Sequence, residues 1–426
     1  MDNSWKLETK AVQGAYVAEN AQARVLPLYQ STTYRYDTCE ELAKVFDLEQ
    51  DTFMYTRLGN PTNDAFEKKI ASMEGGIGAL ATSSGMAATT LAVLNICKSG
   101  DSMLASSTIY GGSYTLFTTT FKNLGIEVII FDPDAPAQEI IALAKPNTKA
   151  IFGETIGNPL VNVIDFEKFS KIAKTLDIPF IVDNTFATPC LCRPLELGAN
   201  IVLHSTTKYI DGHASCVGGI IVDGGNFNWE NGKFPELVEP DESYHGLSYV
   251  KSFGKAAYIT KARAQLMRNT GMVASPFNSY LTNLGCETLH LRMQRHSENA
   301  LKLAQYLKQH ELCAWVKYPG LEEDKYYNLA KKYLPNGASG VMTFGVKGGR
   351  DAGRKFIDSL KMVALVTHVA DVRSCVLHPA STTHRQLNDE ELISAGVSPD
   401  MIRFSVGIEN ADDIIADFEQ AFQACK

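Results

Sequence analysis

A chain of 426 residues is long enough for two or three packed units and for a buried site. Its 45% hydrophobic and 21% charged residues exclude collagen-like, coiled-coil and disordered classes. A net charge of −8 removes any global attraction to nucleic acid or to an anionic membrane, so an anionic ligand has to find local positive groups.

The opening, MDNSWKLETK, lacks the basic and apolar regions of a secretory leader, which predicts a cytoplasmic protein. Residues 1–62 show little periodicity and read as an arm. A helix is expected after Asn60-Pro61-Thr62, with Phe66, Ile70 and Met73 on one face and Gly75-Gly76 as its stop. Short apolar runs bounded by turn residues then predict seven strands: Ala79–Thr82, Ser102–Ala105, Ile126–Phe131, Ala150–Thr155, Pro179–Asp183, Asn200–His204 and Val217–Val222. The most apolar window, Ala79 to Cys97, is broken by Thr82, Ser83, Ser84, Thr89, Thr90 and Asn95 and cannot span a membrane. Residues 223–255, rich in Gly, Pro and aromatics, read as a long ordered insertion. From Pro276 a helix carrying Leu289, Met293 and the pair Arg292/Arg295 opens a second unit, which ends in strands at Gly340–Val346 and Ile402–Ile408. The predicted fold is α/β: a mostly parallel seven-stranded sheet with helices on both faces, followed by a smaller C-terminal α+β domain. The boundaries are an arm at 1–62, a large domain at 63–275 and a C-terminal domain at 276–426.

In an open α/β sheet, ligands sit beyond the carboxyl ends of the strands, so the polar residues that end apolar runs are the ones to examine. The run IPFIVD ends at Asp183. The run NIVLHSTTK ends at Ser205, Thr206, Thr207 and Lys208, and ALATSSGMAA turns at Ser83-Ser84-Gly85-Met86 into a helix. Small residues and free backbone N–H groups at a helix start make a site for phosphate, although Ser and Gly at such a turn equally serve capping and tight geometry. The Ser205 and Thr207 hydroxyls and the Lys208 amine add to it. A strand-end Lys, a strand-end Asp and a phosphate cup together point to pyridoxal phosphate: Lys208 forms the Schiff base and Asp183 pairs with the pyridinium nitrogen. Nine scattered cysteines indicate neither a disulfide framework nor a zinc ribbon. His290 and His296, six apart, do not share a helix face, so no metal is expected. The GGIG at 75–78 precedes its strand and is a poor dinucleotide signal.

Along nearly its whole length the chain resembles the Cys/Met-metabolism family of pyridoxal-phosphate enzymes. The resemblance rests on LPLYQSTTY (26–34), YTRLGNPT (55–62), SSGMAA (83–88), GNPL (157–160), VDNTFATP (182–189), HSTTKYIDGH (204–213), HPASTTH (378–384) and IRFSVGIE (402–409). It implies the fold of type I pyridoxal-phosphate transferases. Lys208, Tyr110 and Tyr55 would be catalytic, with Lys208 moving protons and Tyr110 stacked on the cofactor ring. Ser84, Gly85, Met86, Ser205 and Thr207 would hold the phosphate within one subunit, and Tyr55 and Arg57 would reach it from a neighbour. Asn158 would sit by the ring oxygen and the substrate. Arg403 would fork onto the substrate carboxylate: in the alternating strand, Ile402, Phe404, Val406 and Ile408 point one way, Arg403 and Ser405 the other. By itself that alternation favours a solvated outer face. His368 would lie near the substrate, where many relatives have other polar residues.

Within the family, the insertion and the run HVADVRSCVLHPASTTHRQL are similar to O-acetylhomoserine sulfhydrylases. Gly111-Gly112 after Tyr110 departs from the methionine γ-lyase branch, which usually carries Cys after the Tyr-Gly. The resemblance implies γ-replacement on O-acetyl-L-homoserine by sulfide or methanethiol, in a homotetramer built as a dimer of dimers. The alternatives are a methionine or homocysteine γ-lyase, a cystathionine γ-synthase or lyase and, more remotely, a catalytically silent regulatory protein that binds the cofactor.

Overall fold

The computed structural model describes residues 4–425 except 384, 386, 387 and 395. His384, which ends the HPASTTH motif, and positions 386 and 387 of the longer run lie outside the described residues.

Seven strands form the large sheet: β1 (Gly78–Thr82), β2 (Ser102–Ser106), β3 (Glu127–Phe131), β4 (Thr148–Glu154), β5 (Phe180–Asp183), β6 (Ile201–His204) and β7 (Gly219–Asp223). They lie in the order β1-β7-β6-β5-β4-β2-β3. β7 runs antiparallel to both neighbours, and the other pairings are parallel. Both faces are buried, as a sheet covered by crossover helices requires, so its strands read as continuous apolar runs rather than alternations. The seven expected strands are all present, with ends displaced by one or two residues.

The helix Pro61–Glu74 starts where expected. Asn60 caps it by accepting from the Thr62 N–H, and Gly75, at φ 82°, ends it in the left-handed region that glycine tolerates. The arm is more structured than its sequence suggested: it carries helices Leu7–Gln13 and Cys39–Phe46. The second has a full capping box between Thr38 and Glu41, a T-x-x-E signature legible in the sequence. Residues 223–255 are ordered and inward-facing. Trp229, Phe234, Tyr244 and Tyr249 are buried in the core on one face of the sheet, and Trp229 stacks on Tyr258 at 5.2 Å and 7°.

The single helix expected from Pro276 is two, Pro276–Glu287 and Leu289–Gln309, broken at Thr288, whose φ of −109° and ψ of 5° leave the helical region. Beyond them lies a five-stranded sheet: β8 (Cys313–Lys317), β9 (Val341–Val346), β10 (Ala364–Leu365), β11 (Cys375–Leu377) and β12 (Met401–Ser405), in the order β10-β11-β12-β9-β8. Ile402, Phe404 and Val406 enter its core with the C-terminal helix Ala411–Ala424. Among the described residues no helix is long and apolar enough to cross a membrane.

Candidate active site

At the carboxyl ends of the parallel strands is a cavity of about 280 Å³, close to the lower size of small-molecule sites. Its lining includes Ser84, Gly85, Met86, Tyr110, Asn158, Asp183, Ser205, Thr207, Lys208, His368 and Arg403. Every residue given a site role from the sequence is there except Tyr55 and Arg57. Those two lie outside, with Arg57 over the Tyr55 ring at 5.3 Å and hydrogen-bonded to the Arg268 carbonyl.

The phosphate end forms where two elements meet. Ser84 caps the helix Gly85–Leu94 by accepting from the Ala87 N–H at 3.1 Å, which leaves the first-turn N–H groups of that helix without intrahelical partners. Gly85 faces the end of β6: a Cβ there would stand 2.6 Å from Ser205 Cβ and 2.9 Å from its Cα. The Thr207 hydroxyl is already engaged with the backbone of Gly218 at 3.1 Å in both directions.

At the other end Asp183 closes β5. Its Oδ1 accepts from the Thr185 N–H at 2.9 Å and from the Thr185 hydroxyl at 2.5 Å, while that hydroxyl accepts from the Ser205 N–H at 2.8 Å. Thr185 thus locks the carboxylate to the strand that carries the phosphate cup. Burial raises the carboxyl's affinity for a proton, against the Thr185 bonds and the His204 ring, and among the described residues no side-chain cation pairs with it. A buried carboxylate of this kind fits the protonated nitrogen of a pyridine ring.

Glu154, which the sequence reading passed over, closes β4 in register with Asp183. Its Oε1 accepts from the Tyr110 N–H at 2.7 Å. Burial, and then the Asp183 charge, push its carboxyl well above the usual range, against the bonds it accepts from the Tyr110 and Asn158 backbone. The signal was available: IFGE ends an apolar run in a carboxylate just as IPFIVD does. Tyr110, half exposed, folds its ring over Gly112, where any Cβ would collide with the ring.

Lys208 follows β6. Burial first, and then the Arg403 charge, bring its ammonium down to about 8, so a useful fraction is free amine near neutral pH. Arg403, in β12, points away from the apolar face of its strand into the cavity, held by Asn158 Oδ1 at 3.1 Å and by the His368 carbonyl at 3.3 Å. The solvated-face reading of that strand is therefore excluded. Lys208 Nζ is 3.4 Å from His368 Nδ1.

A phosphate cup, a buried carboxylate, a stacking ring and a lysine of depressed pKa, in one cavity of that size, fit pyridoxal phosphate. Comparison with known proteins agrees. The family model for Cys/Met metabolism PLP-dependent enzymes matches residues 8–423. The chain belongs to this family. Pyridoxal 5'-phosphate is its cofactor, and a type I pyridoxal-phosphate transferase is its fold. The chain is 46% identical to an O-acetyl-L-homoserine sulfhydrylase of Leptospira meyeri, over 99% of this chain and 98% of the relative. It is also 46% identical to a homocysteine synthase of Schizosaccharomyces pombe, over 94% of each. A crystal structure assigned as an O-acetylhomoserine (thiol)-lyase of Campylobacter jejuni, holding a pyridoxyl-lysine phosphate, superposes with a TM-score of 0.95 at 38% identity, over 98% of this chain and 100% of that one. The crystal structure of metB from Corynebacterium glutamicum gives a TM-score of 0.85 at 33% identity, over 100% and 99%.

Proposed function

We propose that this chain is an O-acetylhomoserine sulfhydrylase, replacing the acetate of O-acetyl-L-homoserine by sulfide, or by a small thiol such as methanethiol, to give L-homocysteine or L-methionine. The observation that carries the reading is that Lys208, Asp183 and Arg403 line one cavity. Near full-length identity to sulfhydrylases and homocysteine synthases supports this branch.

Pyridoxal phosphate, when bound, withdraws electrons from the substrate, which makes its Cα and Cβ protons removable and lets a group leave from Cγ. Ser84, Gly85, Met86 and Ser205 would hold the phosphate through backbone N–H groups and serine hydroxyls, and Thr207 through its N–H, since its hydroxyl proton is given to Gly218. Asp183 holds the pyridine nitrogen protonated, and Thr185 orients Asp183. Tyr110, its backbone held by Glu154, would cover the cofactor ring, and Asn158 would serve the ring oxygen and the substrate. Arg403 takes the substrate α-carboxylate in a two-bond fork and so fixes which C–H bond faces Lys208. The Lys208 amine moves the proton at Cα and then at Cβ, a transfer that typically contributes about 10²–10⁴-fold.

The arm (1–62) brings Tyr55 and Arg57 to the site of a neighbouring subunit, beside the large domain (63–275) and the C-terminal domain (276–426). The working form is a homotetramer in the cytoplasm. Product analysis with O-acetyl-L-homoserine tests the reaction. Homocysteine that depends on sulfide, with little 2-oxobutyrate, supports replacement, whereas 2-oxobutyrate formed equally well without sulfide makes the enzyme a γ-lyase and refutes the proposal.

A further inference from the structure

Among the described residues, the His368 ring is the side chain within hydrogen-bond distance of Lys208 Nζ, and a buried acid stands behind it. His368 Nδ1 lies 3.4 Å from Lys208 Nζ, while His368 Nε2 is buried without a hydrogen bond and has Asp371 Oδ2 3.5 Å away. Asp371 is buried, and its Oδ1 is taken by the Arg373 N–H at 2.6 Å. The turn that folds Asp371 back onto His368 passes through Ala370 at φ 68°, a left-handed conformation that costs a residue with a Cβ on the order of 1 kcal/mol or more. The Ala370 N–H is pinned by the Ser405 hydroxyl at 2.7 Å, and the His368 carbonyl by Arg403 at 3.3 Å. Strain held in place by two bonds to the substrate-carboxylate strand, in the loop that brings an acid behind a histidine behind the active lysine, is an arrangement with a purpose.

We propose that His368, oriented by Asp371, is the proton partner of Lys208, receiving the proton that the lysine removes and returning it. This rests on the sulfhydrylase reading only in its choice of substrate. The Asp371 carboxylate 3.5 Å from Nε2 favours the tautomer with the proton on Nε2, which leaves the Nδ1 lone pair toward the lysine. One N–H bond of the Lys208 ammonium breaks and one N–H bond forms at Nδ1. The resulting imidazolium faces the Asp371 carboxylate, no electrons are exchanged, and the proton goes back in the reverse step. A base that must act at two carbons in turn needs somewhere to leave its first proton. The groups around His368 are Lys208 and Arg403, which disfavour its cation, Asp371 and Asp211, which favour it, and the Cys375 thiol at its carbonyl. Burial, then Lys208, keep its pKa below the usual histidine value, while burial and the Arg403 charge bring Lys208 down to about 8, so this lysine gives up its proton more readily than a free one.

The test uses full-length holoenzyme carrying His368→Gln or Asp371→Asn, with His368→Asn as a second substitution in case the first misfolds. Three quantities are read: the absorbance of the lysine-linked cofactor against pH without substrate, deuterium entry from D₂O at Cα of L-norvaline, which has no γ leaving group, and the pH profile of kcat. His368→Gln and His368→Asn are expected to keep the cofactor and the melting temperature, to slow Cα exchange and kcat about 10- to 100-fold with little change in KM, to lose the acid-side limb of the profile, and to displace the absorbance titration. Asp371→Asn moves that limb to lower pH, because the carboxylate that favours the imidazolium is gone. Exchange and profile parallel to wild type, or a rise in KM alone, would overturn the proposal. Wild-type protein that exchanges Cα through His368 yet forms no homocysteine with sulfide would instead remove the sulfhydrylase reading and leave the proton relay standing.

Discussion

Replacing Gly85 by alanine puts a methyl group 2.6 Å from Ser205 Cβ and 2.9 Å from its Cα, where ordinary contact begins near 3.4 Å. One partner is backbone, so no rotamer change relieves the clash, and the start of helix Gly85–Leu94 and the end of β6 must part by about 0.8 Å. Overpacking of this kind costs about 1–3 kcal/mol in stability. Binding suffers more specifically. The two elements are opposite walls of the phosphate cup, and a gap of that size takes hydrogen bonds on one side out of range. Losing one or two bonds to a charged group, at about 1.5–3 kcal/mol each, weakens cofactor affinity on the order of 100-fold. Absorbance titration of cofactor-free protein with pyridoxal phosphate measures this, with Gly111→Ala as control because a Cβ there meets nothing within 4 Å. A Gly85→Ala protein that reconstitutes with wild-type affinity refutes the placing of the phosphate between these walls.

Lys208→Met abolishes turnover and stabilises the cofactor-free protein near neutral pH. The buried ammonium, lowered from 10.5 to about 8, costs the native state about 3 kcal/mol below pH 8, and that cost fades as pH rises from 8 toward 10.5 because the unfolded chain then holds the proton the native one lacks. A difference between the two urea midpoints that stays constant across that range contradicts the assignment. Arg403→Lys removes the planar fork and raises KM for O-acetyl-L-homoserine at least about tenfold with a smaller effect on kcat, and an unchanged KM places the carboxylate elsewhere. Mixing inactive Arg57→Ala and Lys208→Ala proteins under subunit exchange restores part of the activity when the arm completes a neighbour's site; no recovery, with exchange demonstrated, rules that sharing out.

The parallel sheet was legible because strands buried on both faces read as plain apolar runs, and the residues that end or follow β4, β5 and β6 line the cavity. Asp183 and Lys208 follow from that rule. Glu154 obeys the same rule and was missed, since its role is to hold the backbone of Tyr110 and no motif drew the eye to it. The alternation around Arg403 was visible, but whether its polar side met water or a cavity depended on Asn158 and the His368 carbonyl, 245 and 35 residues away along the chain. The two arm helices are seven and eight residues long and bury little of their surface, so the stripe of Leu42, Val45 and Phe46 in the second is too short to stand out; the break at Thr288 falls between two helix-forming stretches and breaks no pattern. The Ala370 turn, which aims Asp371 at His368, is a backbone conformation that alanine rarely adopts and composition cannot announce.

The aromatic segment 223–255 was the feature that most suggested a branch of the family, yet none of its residues lines the cavity. Its Trp229, Phe234, Tyr244 and Tyr249 are core material that arrives late in the chain. Anyone reshaping this enzyme by trimming its longest loop would remove ballast from the hull and leave the cargo hold unchanged: the expected outcome is a poorly folding protein with its substrate preference intact. Choice of acyl group and thiol is to be sought instead in the short turns at 110–113 and 367–371, where a single side chain changes what the pocket meets.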